Sequence, residues 1–138
     1  MRVPTKKEME EQKAIKYIPS LGEVYVNRVI DGDSIECYAY CESSKNIYKY
    51  NVRVYGVDTP EMRSRDPEEK KAARAAKEVV KQACEKSIVY LSDVSYDKFG
   101  RILARVLMEG GKSLDKLIIE SKHGIEYFGG KKSKFKAT

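Results

Sequence analysis

Three carboxylates and two arginines in this chain have the types and spacing that phosphodiester chemistry needs. Asp33 lies in the run Asp31-Gly32-Asp33-Ser34. Asp58 and Glu61 close the run Arg53-Val54-Tyr55-Gly56-Val57-Asp58-Thr59-Pro60-Glu61, which Arg53 opens. A second arginine ends Asp97-Lys98-Phe99-Gly100-Arg101. Carboxylate oxygens bind hard divalent cations, and guanidinium forks bind phosphate. A site holding both suits phosphodiester cleavage, where negative charge builds on the oxygens around phosphorus. Each run alone is weak. Asp-Gly-Asp-Ser is ordinary turn chemistry, and lone surface arginines mostly sit in weak ion pairs. The three runs in this order are a much stronger signal.

Strands and turns must position these groups. Gly22 to Ile30 reads as a strand, and Ser34 to Cys41 as a second, with Ile35, Cys37, Ala39 and Cys41 on one face. Glu42 to Asn46 is turn chemistry, and Ile47 to Val57 is the return strand. There Val52 and Val54 face one way and Arg53 and Tyr55 the other, so Arg53 is predicted off the core side. Pro60 biases Thr59 toward an extended backbone. Asp66 fits a helix N-cap, Pro67 the first turn and Glu69 the capping-box position. Ala72, Ala75, Ala76, Val79, Val80 and Ala83 then form an apolar stripe in a helix ending near Glu85. A strand from Ser87 to Asp93, a turn over Tyr96 to Gly100 and a strand from Arg101 to Met108 follow. Ser113 should cap a short helix carrying Leu114, Leu117 and Ile118, which ends before Gly124. The fold class is therefore α+β, mainly β. Five short strands, with one long helix between the third and fourth and a shorter helix after the fifth, follow the pattern of an OB-fold.

The three runs resemble the staphylococcal nuclease (thermonuclease) family. That family shows a D-G-D-T turn, an R-x-x-x-x-D-T-P-E segment and a D-K-Y-G-R turn, in this order. Ser34 replaces the usual threonine and Phe99 the usual tyrosine, and the likeness spans roughly Val24 to Gly130. The resemblance implies a small closed barrel with helices packed against it. It implies a Ca²⁺ site made by Asp33, Asp58 and the Thr59 carbonyl, with water and substrate completing the sphere. Glu61 would be the general base or the group that orients the attacking water, and the sequence does not separate these roles. Arg53 and Arg101 would clamp the phosphate, Arg101 nearer the leaving oxygen. Lys98, Phe99 and Tyr127 would bound the nucleotide. Phe99 lacks the hydroxyl that a family tyrosine offers to phosphate, and Gly129 stands where a second pocket tyrosine is usual. The substrates implied are DNA and RNA, cut with little sequence preference to leave 3′-phosphate and 5′-hydroxyl ends.

Composition sets the outer bounds. A chain of 138 residues with 41% hydrophobic content supports one domain and one core. A net charge of +6 and a pI of about 9.1 fit a polyanionic partner, although excess lysine also keeps small proteins soluble. Three cysteines, Cys37, Cys41 and Cys84, are an odd set, which argues against a disulfide framework. His123 is the single histidine, so no Cys/His zinc set exists, and a structural role is expected for it. Residues 1–19 read as a charged arm, 20–130 as the domain and 131–138 as a basic tail. The arm has no apolar signal-peptide core, and no window reaches the roughly 18 apolar residues of a membrane span. A cytoplasmic monomer that avoids membranes is expected, with secretion open if a leader was removed. Two rivals remain. One is a non-catalytic OB module that binds nucleic acid or protein. The other is an assembly factor docked through its tail.

Overall fold

The computed structural model describes residues 1–129. Its elements are α1 (Lys6–Glu11), β1 (Glu23–Asp31), β2 (Ser34–Cys41), β3 (Asn46–Val54), β4 (Gly56–Asp58), α2 (Pro67–Cys84), β5 (Ile88–Tyr96), β6 (Ile102–Leu107), α3 (Leu114–Glu120) and β7 (Ile125–Tyr127). Five strands close a barrel in the order β1-β2-β3-β6-β5, with β5 returning to β1. The β3–β6 pair is parallel and the other barrel pairs are antiparallel. The expected α+β, OB-like barrel is therefore present, with the long helix between the third and fourth barrel strands.

Alternation builds the core. Val24, Val26, Ile35, Cys37, Val52, Val54, Val89, Leu91, Ile102, Ala104 and Val106 point inward from the five strands. Val80 and Cys84 of α2, with Leu114 and Ile118 of α3, join the same cluster. Cys37 and Cys84 are buried core thiols, and none of the three cysteines is in a disulfide.

Several local expectations are corrected. The return strand does not run unbroken to Val57. It leaves the barrel after Val54, and β4 pairs instead with β7, Gly56 opposite Tyr127 and Asp58 opposite Ile125. Gly56 makes the bend, with φ of 94°, and an added Cβ there would sit 2.7 Å from an Asp115 carboxylate oxygen. The buried stripe of α2 is Ala73, Ala76, Val80 and Cys84, whereas Ala75 is exposed. A run dense in alanine offers more than one face of similar apolarity, and packing chooses between them. Asp66 does cap α2, accepting from the Glu68 N–H at 2.9 Å. Glu69 does not complete a capping box; its carboxylate accepts from the Glu61 N–H at 3.4 Å. Ser113 occupies the N-cap of α3 with no side-chain cap bond, and its buried hydroxyl lacks a partner among the described residues. Strand β5 continues to Tyr96 through a bulge between Ser92 and Ser95, where Asp93 takes φ of 53°. Among the described residues, no helix is long and apolar enough to cross a membrane. The tail 131–138 lies outside the described residues.

Candidate active site

Five stretches of the chain supply one open cleft of about 810 Å³. The β1–β2 turn brings Asp31 and Asp33, and the end of β3 brings Arg53. Strand β4 and the loop after it bring Asp58 and Glu61, and the β5–β6 turn brings Asp97, Lys98, Phe99 and Arg101. Tyr127 of β7 completes a wall. Of the residues given a site role from the sequence, all but Thr59 line this cleft. Thr59 is buried behind Asp33.

Asp33 is fixed from three sides. Its carboxylate accepts from the Thr59 N–H at 3.1 Å and from the Thr59 hydroxyl at 3.0 Å. Its backbone carbonyl accepts from the Val54 N–H at 2.8 Å, which ties the turn to β3. Gly32 allows this packing, since a Cβ there would stand 2.8 Å from the Thr59 hydroxyl oxygen and 2.9 Å from the Ala76 Cβ. Burial opposes the Asp33 charge, but Arg53 and the bonds from Asp31 and Thr59 outweigh it, so its pKa falls below the usual carboxylate range. Its neighbour Asp31 is driven the other way, by burial first and then by Asp33.

Arg53 sits between the two proposed ligand acids. Its Nη2 lies 3.6 Å from an Asp33 oxygen and 3.4 Å from Asp58 Oδ1. Its Nη1 donates to the carbonyls of Val54 at 2.7 Å and Val57 at 2.8 Å. The bend between β3 and β4 curls those carbonyls around the guanidinium, so the strand break itself aims this side chain.

Arg101 is held by Asp97. Its Nε donates to Asp97 Oδ2 at 2.7 Å and its backbone N–H to Asp97 Oδ1 at 2.8 Å. Its Nη1 reaches the Ser34 hydroxyl at 3.4 Å, so the departure from threonine keeps the one group used here. Glu61 is exposed at the cleft, and Phe99, 75% exposed, stands at its mouth with the Lys98 ammonium 5.3 Å from its ring centre.

Charge bears on whether these residues fit a cation. Five acidic side chains line the cleft (Asp31, Asp33, Asp58, Glu61 and Asp97) against three basic ones (Arg53, Lys98 and Arg101). This surplus lies within a chain of net charge +6. Asp33 and Asp58 converge on one nitrogen of Arg53, so two hard oxygen donors of the kind a divalent cation takes share a small volume beside that guanidinium. Among the described residues there is no cluster of three or more His, Cys, Asp or Glu poised as a complete cage.

Sequence reasoning missed Asp31, Asp97 and the aromatic pair Tyr55–Phe128, whose ring centres lie 5.3 Å apart, tilted by 52°, on the cleft wall. Asp97 had a local signal, an aspartate opening a tight turn four residues before an arginine. The aromatic pair had none, because the β4–β7 pairing joins segments far apart in the chain. No curated protein matches this chain. The sequence pattern of the staphylococcal nuclease homologues matches residues 51–134, which include Arg53, Asp58, Glu61 and Arg101. A match over more than half the length, laid on a closed five-strand barrel that brings its acids and arginines to one cleft, makes this chain a member of the staphylococcal nuclease homologue family.

Proposed function

We propose that this member is a Ca²⁺-dependent phosphodiesterase that cuts DNA and RNA internally with little sequence preference. One observation carries the reading: Arg53 and Arg101 enter the same cleft as Asp33, Asp58 and Glu61, and each arginine is oriented by an acid. Asp33 and Asp58, with the Thr59 carbonyl, would hold the cation. When bound, it would supply charge neutralisation at the phosphate and a lowered pKa for an adjacent water.

The chain's own groups do the rest. Glu61 accepts the proton of the attacking water or orients it toward phosphorus. Arg53 and Arg101 donate to the phosphate oxygens as their charge grows, and their preset orientation reduces the reorganisation needed. Lys98, Phe99 and Tyr127 bound the nucleotide beside the reacting phosphate. In-line attack expels the 5′-oxygen and leaves 3′-phosphate and 5′-hydroxyl ends. Digestion of plasmid and single-stranded DNA with Ca²⁺, with Mg²⁺ and with chelator tests the reading. Cleavage in Ca²⁺ that stops in chelator is expected. A protein that binds DNA but never cuts it would be a non-catalytic module.

A further inference from the structure

Tyr96 stands where the cleft meets the N-terminal arm. Its ring lines the cleft. Its hydroxyl donates to the Tyr17 carbonyl at 2.8 Å, and the Lys16 ammonium lies 4.0 Å from its ring centre. These contacts pin the arm backbone to the barrel, yet the Tyr17 side chain stays outside, with the residue 67% exposed. The start of the arm is also ordered locally. Thr5 and Glu8 form a capping box at α1, and Nη1 and Nη2 of Arg2 each donate to Glu8 at 2.6 Å.

More phenols continue this feature across β3. Tyr48 and Tyr50 share one face of β3 with Val52, which pairs with Ile102 of β6, and Ile102 pairs in turn with Tyr96. Burial first, and then Tyr17 and Tyr96, raise the Tyr50 pKa. Tyr48 is itself 42% exposed. Tyr17, Tyr50 and Tyr48 thus lie on the part of the barrel that Tyr96 joins to the cleft. Its charge differs from that of the cleft. Lys13 and Lys16 are the charged residues between Glu11 and Glu23, and no acid interrupts that stretch.

We propose that this band of tyrosines is a second subsite, which binds the part of a single-stranded DNA or RNA lying outside the cleft. Bases stack on the exposed rings of Tyr17 and Tyr48, Lys16 meets a phosphate, and Tyr96 holds the arm in place. Stacking accepts any base, and lysine with exposed phenol is the composition of a strand-binding track. The desolvated centre of a protein interface is instead depleted of lysine. Continuity with the cleft through Tyr96 sets where the strand would leave it. The inference rests on the phosphodiesterase reading for what enters the cleft, but strand binding can be measured without cleavage.

The test is fluorescence anisotropy in chelator with labelled oligothymidylates of about four and about twelve nucleotides, lengths within the range of OB-fold sites. Wild type is compared with Tyr17→Ala and Lys16→Ala. Both side chains are exposed, so melting temperatures should match. Wild type should bind the longer strand more tightly, and each variant should weaken that binding about fivefold or more while leaving the shorter strand little changed. Lys16→Ala should also flatten the salt dependence, by about 0.7 in the logarithmic slope. Equal binding of the two lengths by wild type, or variants that bind the longer strand like wild type, overturns the subsite. Cleavage of plasmid and single-stranded DNA in Ca²⁺ is scored separately. Its failure alongside length-dependent binding would sink the phosphodiesterase reading and leave the band standing.

Discussion

Asp97 grips Arg101 at two points, one carboxylate oxygen on the side-chain Nε and the other on the backbone N–H. A turn of five residues therefore sets both the position and the direction of a cleft arginine. Arg101→Ala should lower turnover by about 10² or more, as loss of one preorganised charged donor does. The far-UV spectrum should not change, since Arg101 contributes nothing to the core. Near wild-type turnover in this variant would show that Arg101 does not act on the phosphate.

The same pair predicts an acid response. Burial opposes ionisation of Asp97, but the bonds from Arg101 and Phe99 outweigh it and hold its pKa below the usual value. A depressed folded-state pKa stabilises fully above the unfolded value of about 3.9 and is lost as pH falls through the folded one. Asp97→Asn should therefore lose less stability than wild type between about pH 5 and pH 2. Parallel acid-unfolding curves would mean that the Asp97 charge contributes nothing to the fold.

Arg53 is only 12% exposed at its side chain and compensates two acids. Arg53→Ala should abolish cleavage and also cost about 3 kcal/mol, because Asp33 and Asp58 are left facing each other. Ca²⁺ should restore part of that loss, since it replaces the missing positive charge. Thermal melts of the variant with Ca²⁺ and with chelator provide the check. Identical melts in both would argue against a cation between these acids.

Cleavage should fall sharply when Mg²⁺ replaces Ca²⁺. Mg²⁺ demands a tight octahedron and gives up water reluctantly, whereas Asp33, Asp58 and Thr59 leave most of a larger sphere to water and phosphate. Rates in the two ions, each at saturation, decide the matter, and equal rates would count against the assignment.

The cysteines should separate by reactivity. Hydrogen bonds from Ser43 and Ser44 bring the Cys41 thiol down to about 7, while burial pushes Cys37 and Cys84 up to about 12. Since the thiolate is the nucleophile, native protein should be alkylated at Cys41 alone, faster as pH rises through about 7. Mass spectrometry of labelled peptides reads this directly. Labelling of Cys84 in the folded protein would show that the core opens.

The barrel was legible because its signals are local. Valine alternation marked β1 and the end of β3, Asp66-Pro67 marked the start of α2, and the three short runs marked the cleft. What escaped depended on distant partners. Val54 to Val57 reads as uninterrupted strand, and only the Asp115 carboxylate beside Gly56 and the pairing with Tyr127 turn it out of the barrel. The choice of Ala73 over Ala75 likewise depends on what α2 packs against. Asp31 escaped because its neighbour Asp33 carried the motif, while its effect on the cleft arises from burial that only the fold supplies.

The short β4–β7 ladder also has a consequence for how the protein is made. Asp58 is paired with Ile125, so this last backbone tie forms only when nearly the whole described chain has left the ribosome. Early barrel pairs such as β1–β2 and β2–β3 join neighbours in sequence and can close first, since local contacts cost less loop entropy. The cleft then matures last. A chain shortened before β7 would keep the ties from Arg53 and Asp33 to this segment but lose the strand that backs Asp58.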